Sequence, residues 1–319
     1  MKKYTHGWLA HAAIRRLEQA KVSSTYRPAA NELVRWFRLN DDGVIQGSWC
    51  PDSVYHDNGT GHVLKIEPTT GGTNTFKKLP TNYLVDDVTK HSPLRTSSFK
   101  IDRKTNLPDR CEAIAHSVVD HLKMQYTEDK GSAVAPTNNQ LGLLLFALSH
   151  YVADGHVPFH CDARSFSLGN DIHDEVEGEW ETLIEEAYQI DTEKERFRLD
   201  PNGDPLRNPE GAAKYAGSYL EKVDQAVPTR KWSTTWGSGN NNVWDFMSAL
   251  CQHSYLLSHQ LIPLPHDHTT ATSENWRTLG TTSFETMSET VLTDAVDSIA
   301  RIWVRVWHRY REWRKKQED

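Results

Sequence analysis

The chain has 319 residues, with 36 Lys and Arg against 43 Asp and Glu, and a net charge of −7. This acidic balance, with a mean hydropathy of −0.66, is typical of a polar soluble protein and argues against a broadly cationic nucleic-acid binder, although not against a local basic groove. The counts of 16 His and 11 Trp are high, so the position of the histidines is the first question.

The spacing of the apolar residues predicts helices over most of the chain. A first helix is expected over 5–20, with Thr5 as its N-cap, and a second over 27–39, with Pro28 in the first turn. The segment 41–105 is rich in Gly, Pro, Asn, Asp and Thr and is predicted to be a long irregular region. Further helices are expected over 109–125, 138–155, 171–190, 242–261, 272–293 and 294–316, with a turn-rich break over 200–209. Strand signals are scarce, so the predicted fold class is all-α with long irregular loops.

No segment predicts a membrane span or a leader. The longest apolar run, 141–148, is far shorter than the roughly 20 residues that a spanning helix needs. The N-terminus lacks the apolar stretch of a secretory signal, so we expect a cytoplasmic protein or a mature secreted form. Four widely spaced cysteines form no CxxC pair and are expected to be reduced thiols rather than disulfides: Cys50, Cys111, Cys161 and Cys251.

Two pairs of His and carboxylate lie at helical spacing in the stretch 150–177. His150 and Asp154 are four residues apart at the end of an apolar helix, so both project from one face. Pro158 is expected to end or kink that helix and to bring His160 back toward the same region. His173 and Glu177 repeat the spacing on the next helix.

An isolated pair of this kind is usually a surface ion pair. Here five candidates lie close together beside a helix that should be buried, and buried ionisable groups need partners. Imidazole with carboxylate is a ligand set that suits Zn²⁺ and similar ions, so the stretch predicts a metal site.

Three upstream residues are weaker candidates. Asp52 and His62 are separated by a loop with Gly59 and Gly61, which could bend to place both on one ion. His6 lies near the start of the first helix. Alone, each would be interpreted as an ordinary loop or helix-start residue.

Together these residues resemble a known family. The pattern consists of Thr5-His6, Pro51-Asp52, Gly61-His62, H-x3-D-x3-P-x-H over 150–160 and H-x3-E over 173–177. It is similar to the zinc-dependent phospholipase C family, whose fold is shared with secreted single-strand-specific zinc nucleases. The segment over 150–177 is the specific part of the match, and the N-terminal pieces are looser. The resemblance implies a single all-α domain over 1–319, with a ligand-bearing part over 1–190 and a helical remainder over 191–319.

The resemblance also implies a site with three metal ions. One zinc ion would be held by Asp52, His62, His150 and Asp154. A second would be bridged by Asp154 and would also take His6. The third would be held by His160, His173 and Glu177.

The second ion marks a departure from the family. There it is also bound by the amine and carbonyl of an N-terminal tryptophan exposed by processing, whereas this sequence begins with Met1 and has its first tryptophan at Trp8. The Met1 amine, His11 and water are therefore alternatives for completing the His6 site.

The implied activity is hydrolysis of a phosphoester by a metal-bound hydroxide at a two- or three-metal site, with Asp52 and Asp154 as the catalytic carboxylates. Asp154 would fix the separation of two ions, and Asp52 could act as ligand and general base. The expected substrate is a lipid or small-molecule phosphoester. Abundant Trp and Tyr suit a quaternary-ammonium pocket, and Trp49 is expected near the site.

Two alternatives remain open. A single-strand nuclease or nucleotidase would use the same metals, but the net charge and the short basic clusters at 100–104 and 314–316 do not favour it. A non-catalytic metal-binding protein, or a metal enzyme outside phosphoester chemistry, could reuse the fold. The carboxylate-rich ligand set favours a catalytic site over a closed structural one. The substrate, the native metal and the oligomeric state stay open.

Overall fold

The computed structural model describes residues 1–40, 45–57, 60–66, 106–127, 135–232 and 243–319. These residues are mostly helical, which confirms the predicted all-α class. Most of the irregular segment predicted over 41–105, and the basic cluster at 100–104, lie outside the described residues. Among the helices in the described ranges, none combines the length and apolar character that crossing a bilayer requires. All four cysteines are free thiols.

The helices of the described residues are, in chain order, α1 (Lys3–Gln19), α2 (Arg27–Asn40), α3 (Cys50–Ser53), α4 (Leu107–Thr127), α5 (Asn138–Gly155), α6 (Pro158–Cys161), α7 (Ile172–Ala187), α8 (Ala212–Tyr215), α9 (Tyr219–Thr229), α10 (Val243–Leu261), α11 (Trp276–Leu279) and α12 (Phe284–Glu318). Single 3₁₀ turns form at Ile45–Ser48 and Thr60–His62. One small antiparallel pair joins β1 (Ile190–Asp191) to β2 (Arg196–Phe197), with Ile190 opposite Phe197.

The start of α1 differs from the prediction. The helix begins at Lys3, and Thr5 lies inside its first turn rather than at the N-cap. The carboxylate of Glu181 on α7 accepts hydrogen bonds from the backbone N–H groups of Tyr4 and Thr5 and from the Thr5 hydroxyl, each at 2.8 Å. The first N–H groups of a helix need acceptors, and here a distant helix supplies one.

The C-terminal region also differs from the prediction. The helices expected over 272–293 and 294–316 are the short α11 and the continuous α12 of 35 residues. Ser283 caps α12 by accepting from the N–H of Thr286, and no Gly or Pro interrupts the helix. Asp294, where the prediction placed a break, is buried and forms an ion pair with Arg230.

The core forms around α5 and α12. The indole N–H of Trp303 on α12 donates to the carbonyl of Leu145 on α5 at 2.8 Å. Its ring lies 4.7 Å from the ring of Phe37 on α2 and 5.8 Å from that of Phe146, between centroids. This packing buries the length of α5, so the polar residues at its C-terminal end are held away from water.

The chain reverses sharply after α5. Gly155 ends that helix, and Pro158 opens α6, where its missing N–H costs nothing. The segment 60–66 runs beside α6, since the N–H of Leu64 donates to the carbonyl of His160 at 3.2 Å and that of Ile66 to Cys161 at 2.9 Å. Pro158 therefore redirects the chain as expected, and His62 and His160 are brought to the end of α5.

We predict that Trp303→Ala lowers the free energy of unfolding by about 3–5 kcal/mol, because it leaves a large cavity and removes the hydrogen bond to the Leu145 carbonyl. Trp313→Ala on the same helix removes a half-buried ring stacked near Tyr310 and serves as the matched control, with a smaller loss. Urea titration measures both. Equal losses would contradict the central role of Trp303.

Candidate metal centre

The structure brings together all eight side chains that the sequence selected. They come from five parts of the chain: His6 from α1, Asp52 and His62 from the segment 45–66, His150 and Asp154 from α5, His160 from α6, and His173 and Glu177 from α7. Most are buried; Asp52 is the exposed member.

Asp154 lies at the centre of this cluster. Its Oδ2 atom is 2.8 Å from Nδ1 of His62 and 3.2 Å from Nε2 of His150. Its Oδ1 atom is 3.5 Å from Nε2 of His6 and 3.8 Å from Nδ1 of His160. The two oxygens of one carboxylate therefore face different sets of imidazoles, which is the arrangement that a bridging ligand requires.

Ligand atoms lie within 4.8 Å of one another in three groups: His62, His150 and Asp154; His6, Asp52 and His150; and His160, His173 and Glu177. In the last group, Oε1 of Glu177 is 2.8 Å from Nε2 of His173 and 3.4 Å from Nε2 of His160. Asp52 approaches the first group, with Oδ1 3.6 Å from both Nδ1 of His62 and Nε2 of His150. Buried His and carboxylate groups thus could bind a metal ion.

Two histidines are oriented by atoms outside the cluster. Nδ1 of His150 lies 2.8 Å from the backbone carbonyl of Ser48. A carbonyl can only accept, so Nδ1 carries the proton and Nε2 faces the cluster. Nδ1 of His173 lies 2.9 Å from the hydroxyl of Ser167, which leaves its Nε2 toward Glu177. Metal-binding histidines usually have such a partner on the second nitrogen.

Within the eight-residue cluster, four buried imidazole nitrogens have no hydrogen-bond partner among the described residues: Nδ1 and Nε2 of His6, Nε2 of His62, and Nδ1 of His160. Burying a polar group without a partner costs about 1–3 kcal/mol. A bound metal ion would supply a partner to Nε2 of His6 and to Nδ1 of His160, which both face Oδ1 of Asp154. The residues therefore fit a metal centre.

The pKa values of the buried carboxylates and imidazoles are strongly shifted. Burial opposes charge on Asp154, but the nearby Met1 amine and His150 outweigh it and hold the pKa of Asp154 well below its usual value. The pKa of Glu177 is likewise held well below its usual value, against burial, mainly by the Met1 amine and His173. Burial lowers the pKa of His160 to about 4, and burial with the adjacent His150 lowers that of His6 well below its usual value. His150 differs: burial opposes its charge, but Asp154 and Asp52 outweigh burial and raise its pKa to about 9. Metals bind ionised carboxylates and neutral imidazoles, so a bound ion would displace the proton of His150.

The amine of Met1 also lies in the cluster. It is 3.1 Å from Oδ1 of Asp154 and 2.9 Å from Oε1 of Glu177. Burial opposes its charge, but the two carboxylates raise the pKa of this amine to about 11. His11, the other candidate for completing the His6 site, is buried against Phe197, with ring centroids 5.8 Å apart. Among the described residues, His11 belongs to none of the three ligand groups.

Ser48 and Ser167 were not selected from the sequence. Their contacts with His150 and His173 depend on how the chain folds, and no spacing pattern marks them. Trp49, which the sequence places near the site, is the residue that precedes α3. Its ring packs under Nζ of Lys3, 4.3 Å from the centroid.

No protein-family model, curated protein or solved structure matches this chain.

We predict that the purified protein contains bound metal, and that His173→Gln removes about one ion per chain, since His173 contributes to a single ligand group. His11→Gln, a change at a buried histidine outside the groups, is the control and should leave the metal content unchanged. Mass spectrometry of the desalted proteins measures both. A metal-free wild type, or equal contents in wild type and His173→Gln, would refute the metal centre.

Proposed function

We propose that the protein is a zinc-dependent hydrolase of phosphoester bonds, most similar in chemistry to phospholipase C, with the all-α fold of that family and of the zinc nucleases. The observation that carries the proposal is the position of Asp154, whose two carboxylate oxygens face two different sets of imidazoles. Paired metals bridged by a carboxylate are the usual solution for hydrolysing phosphodiesters. The ligand set is rich in carboxylates, and some ligands belong to more than one group. This composition supports catalysis over a purely structural role.

Two or three zinc ions would be distributed over the ligand groups. Asp52, His62, His150 and Asp154 would hold one ion, and His160, His173 and Glu177 another. A third ion would be held by His6, Asp154 and the Met1 amine. The amine would have to lose its proton first, because a charged amine has no lone pair for a metal. When bound, such ions lower the pKa of water and neutralise the oxygens of the phosphate.

Asp52 is the carboxylate best placed to move a proton. Its side chain is 46% exposed, while that of Asp154 is buried. Oδ1 of Asp52 lies 3.6 Å from Nε2 of His150, at the edge of the cluster. We assign to Asp52 the uptake of a proton from the attacking water, and to Asp154 the fixed spacing of the ligand groups.

Position is maintained by groups that do not react. The Ser48 carbonyl fixes the tautomer of His150, and the Ser167 hydroxyl orients His173. Side chains fixed in this way keep the ligand atoms aimed at the ions that they would hold, so little reorganisation accompanies the reaction.

The substrate is expected to be a small-molecule or lipid phosphoester. Val54 and Tyr55, which directly follow α3, are 58% and 53% exposed and offer apolar contact beside Asp52. The exposed ring of Tyr55 equally offers a face for base stacking, which is the observation that favours the single-strand nuclease alternative. Parallel assays on p-nitrophenyl-phosphocholine and single-stranded DNA distinguish the two, since cleavage of DNA alone would support the nuclease.

We predict that Asp154→Asn reduces hydrolysis of bis-p-nitrophenyl phosphate about 10³-fold or more and lowers the metal content, because an amide cannot bridge two cations. Asp297→Asn is the control: Asp297 is also buried, but it binds Arg16 at 3.0 Å, away from the cluster. This variant should lose stability without losing metal. Full activity in Asp154→Asn would exclude the bridging role. A metal-loaded wild type with no phosphoester activity would exclude the hydrolase and favour a non-catalytic metal-binding protein.

We also predict that adding two residues before Met1 reduces the metal content and the activity. The addition converts the Met1 amine into an amide, which has no charge and no affinity for metal, and displaces this nitrogen from Asp154 and Glu177. The same two residues added after Asp319, which is exposed, form the control. Metal analysis and the bis-p-nitrophenyl phosphate assay measure the effect. Unchanged metal content in the N-terminally extended protein would exclude the amine as a ligand.

A further inference from the structure

An ion pair lies at the edge of the metal centre without belonging to it. Nη2 of Arg110, in the first turn of α4, is 2.8 Å from Oδ2 of Asp57. The hydroxyl of Tyr151 donates to the same oxygen at 2.7 Å. Asp57 is thereby fixed from two sides, and it in turn orients the guanidinium. Arg110 makes no hydrogen bond or ion pair with any of the eight cluster residues.

This pair is tied to two of the candidate ligands. The ring of Tyr151 lies 5.0 Å from that of His62 and 5.3 Å from that of His150, between centroids. Tyr151 also follows His150 directly on α5, so its orientation is set by the helix that carries the cluster.

Gly61, which precedes His62, gives a second link. A Cβ atom at this position would lie 3.1 Å from Oδ2 of Asp57 and 3.4 Å from Nε of Arg110. The ion pair therefore packs directly against the backbone of Gly61. A side chain at this position would crowd both Asp57 and Arg110. The guanidinium therefore lies against the backbone of the residue that precedes His62.

The guanidinium is also open to a ligand. The Arg110 side chain is 44% exposed, and Asp52 is 46% exposed, while His62 and His150 are buried. The N–H of Asp57 donates to the carbonyl of Pro51 at 3.0 Å, which joins the ion pair to the turn that carries Asp52. Arg110 and Asp52 thus lie on one connected, accessible part of the site.

We infer that Arg110 binds a second anionic group of the substrate, next to the ester that is cleaved. The inference rests on the proposed function, and it narrows the substrate class to phosphodiesters that carry a further phosphate or carboxylate. Arginine suits this task because its planar fork of N–H donors matches the oxygens of such groups. Asp57 and Tyr151 are positioning residues, since they hold the guanidinium without reaching the substrate.

The test compares two substrates that differ by one anionic group. These are the p-nitrophenyl ester of thymidine 5′-phosphate and the same ester with an added 3′-phosphate. The zinc-loaded wild type is expected to show a kcat/KM about tenfold higher for the 3′-phosphorylated ester, mainly through KM. In Arg110→Gln this preference should fall to about one, with the simple ester little changed, and Arg110→Lys should restore part of it.

Arg38→Gln is the matched control, because it also removes one ion-paired arginine that is partly exposed, and its partners Glu18 and Asp204 lie outside the site. It should keep the preference. Zinc content and thermal midpoint are measured for every variant, so a folding defect is recognised, and Arg110→Lys then carries the comparison. A wild type without preference, or a preference that survives in Arg110→Gln, overturns the inference.

Calorimetry separates the inference from the proposed function. If the wild type hydrolyses neither ester nor bis-p-nitrophenyl phosphate, the proposed activity fails, and the binding of thymidine 5′-phosphate and thymidine 3′,5′-bisphosphate to the zinc-loaded protein decides the role of Arg110. About tenfold tighter binding of the bisphosphate, lost in Arg110→Gln, supports the inference. Equal affinities in wild type and variant overturn it.

Discussion

A carboxylate buried at the end of an apolar helix needs positive partners, and Asp154 is such a carboxylate. Removing a charge from water is costly unless opposite charges and hydrogen bonds replace the solvent. Around Asp154 the replacement comes from His62 and His150 on one oxygen and from the Met1 amine on the other. The amine and the protonated imidazole provide the positive charge that bound cations would provide in a loaded site. This requirement explains why four separate chain segments converge on one point.

Both helix packing and polar caps hold Asp154 and its neighbours in place. Trp303 and Phe37 bury α5 and bring its C-terminal end into the interior. Glu181 caps the first turn of α1 and so fastens the N-terminus to α7, one turn from Glu177. Lys2 adds an exposed ion pair to Asp174 at 2.9 Å, which is expected to contribute little energy. The cap on α1 is therefore the contact that most directly places the amine and His6 beside the cluster.

Buried and exposed polar residues have different tasks in this site. The buried imidazoles and carboxylates form a rigid ligand set, because each side chain is held by packing or by a hydrogen bond to a neighbouring segment. Asp52 and Arg110 remain exposed; Asp52 lies in the short helix α3 and Arg110 in the first turn of α4. A water molecule and an anionic substrate can reach these two side chains. The proposed chemistry depends on this combination of a fixed interior with accessible groups at its edge.

The sequence was most informative where the interactions are local. Apolar periodicity predicted α5 and α7, and the four-residue spacing placed His150 with Asp154 and His173 with Glu177 on shared faces, because one helical turn alone determines those positions. Pro158 marked the turn after α5 for the same reason.

Interactions between distant segments could not be derived in this way. The helix expected to end before Asp294 continues through that residue, which pairs with Arg230, and Thr5 lies inside α1, where Glu181 supplies the cap. The Ser48 carbonyl, the Met1 amine and Arg110 acquire their roles from neighbours far away in the chain. Spacing along the chain determines which side chains share a helix face, whereas packing between helices determines which charges meet.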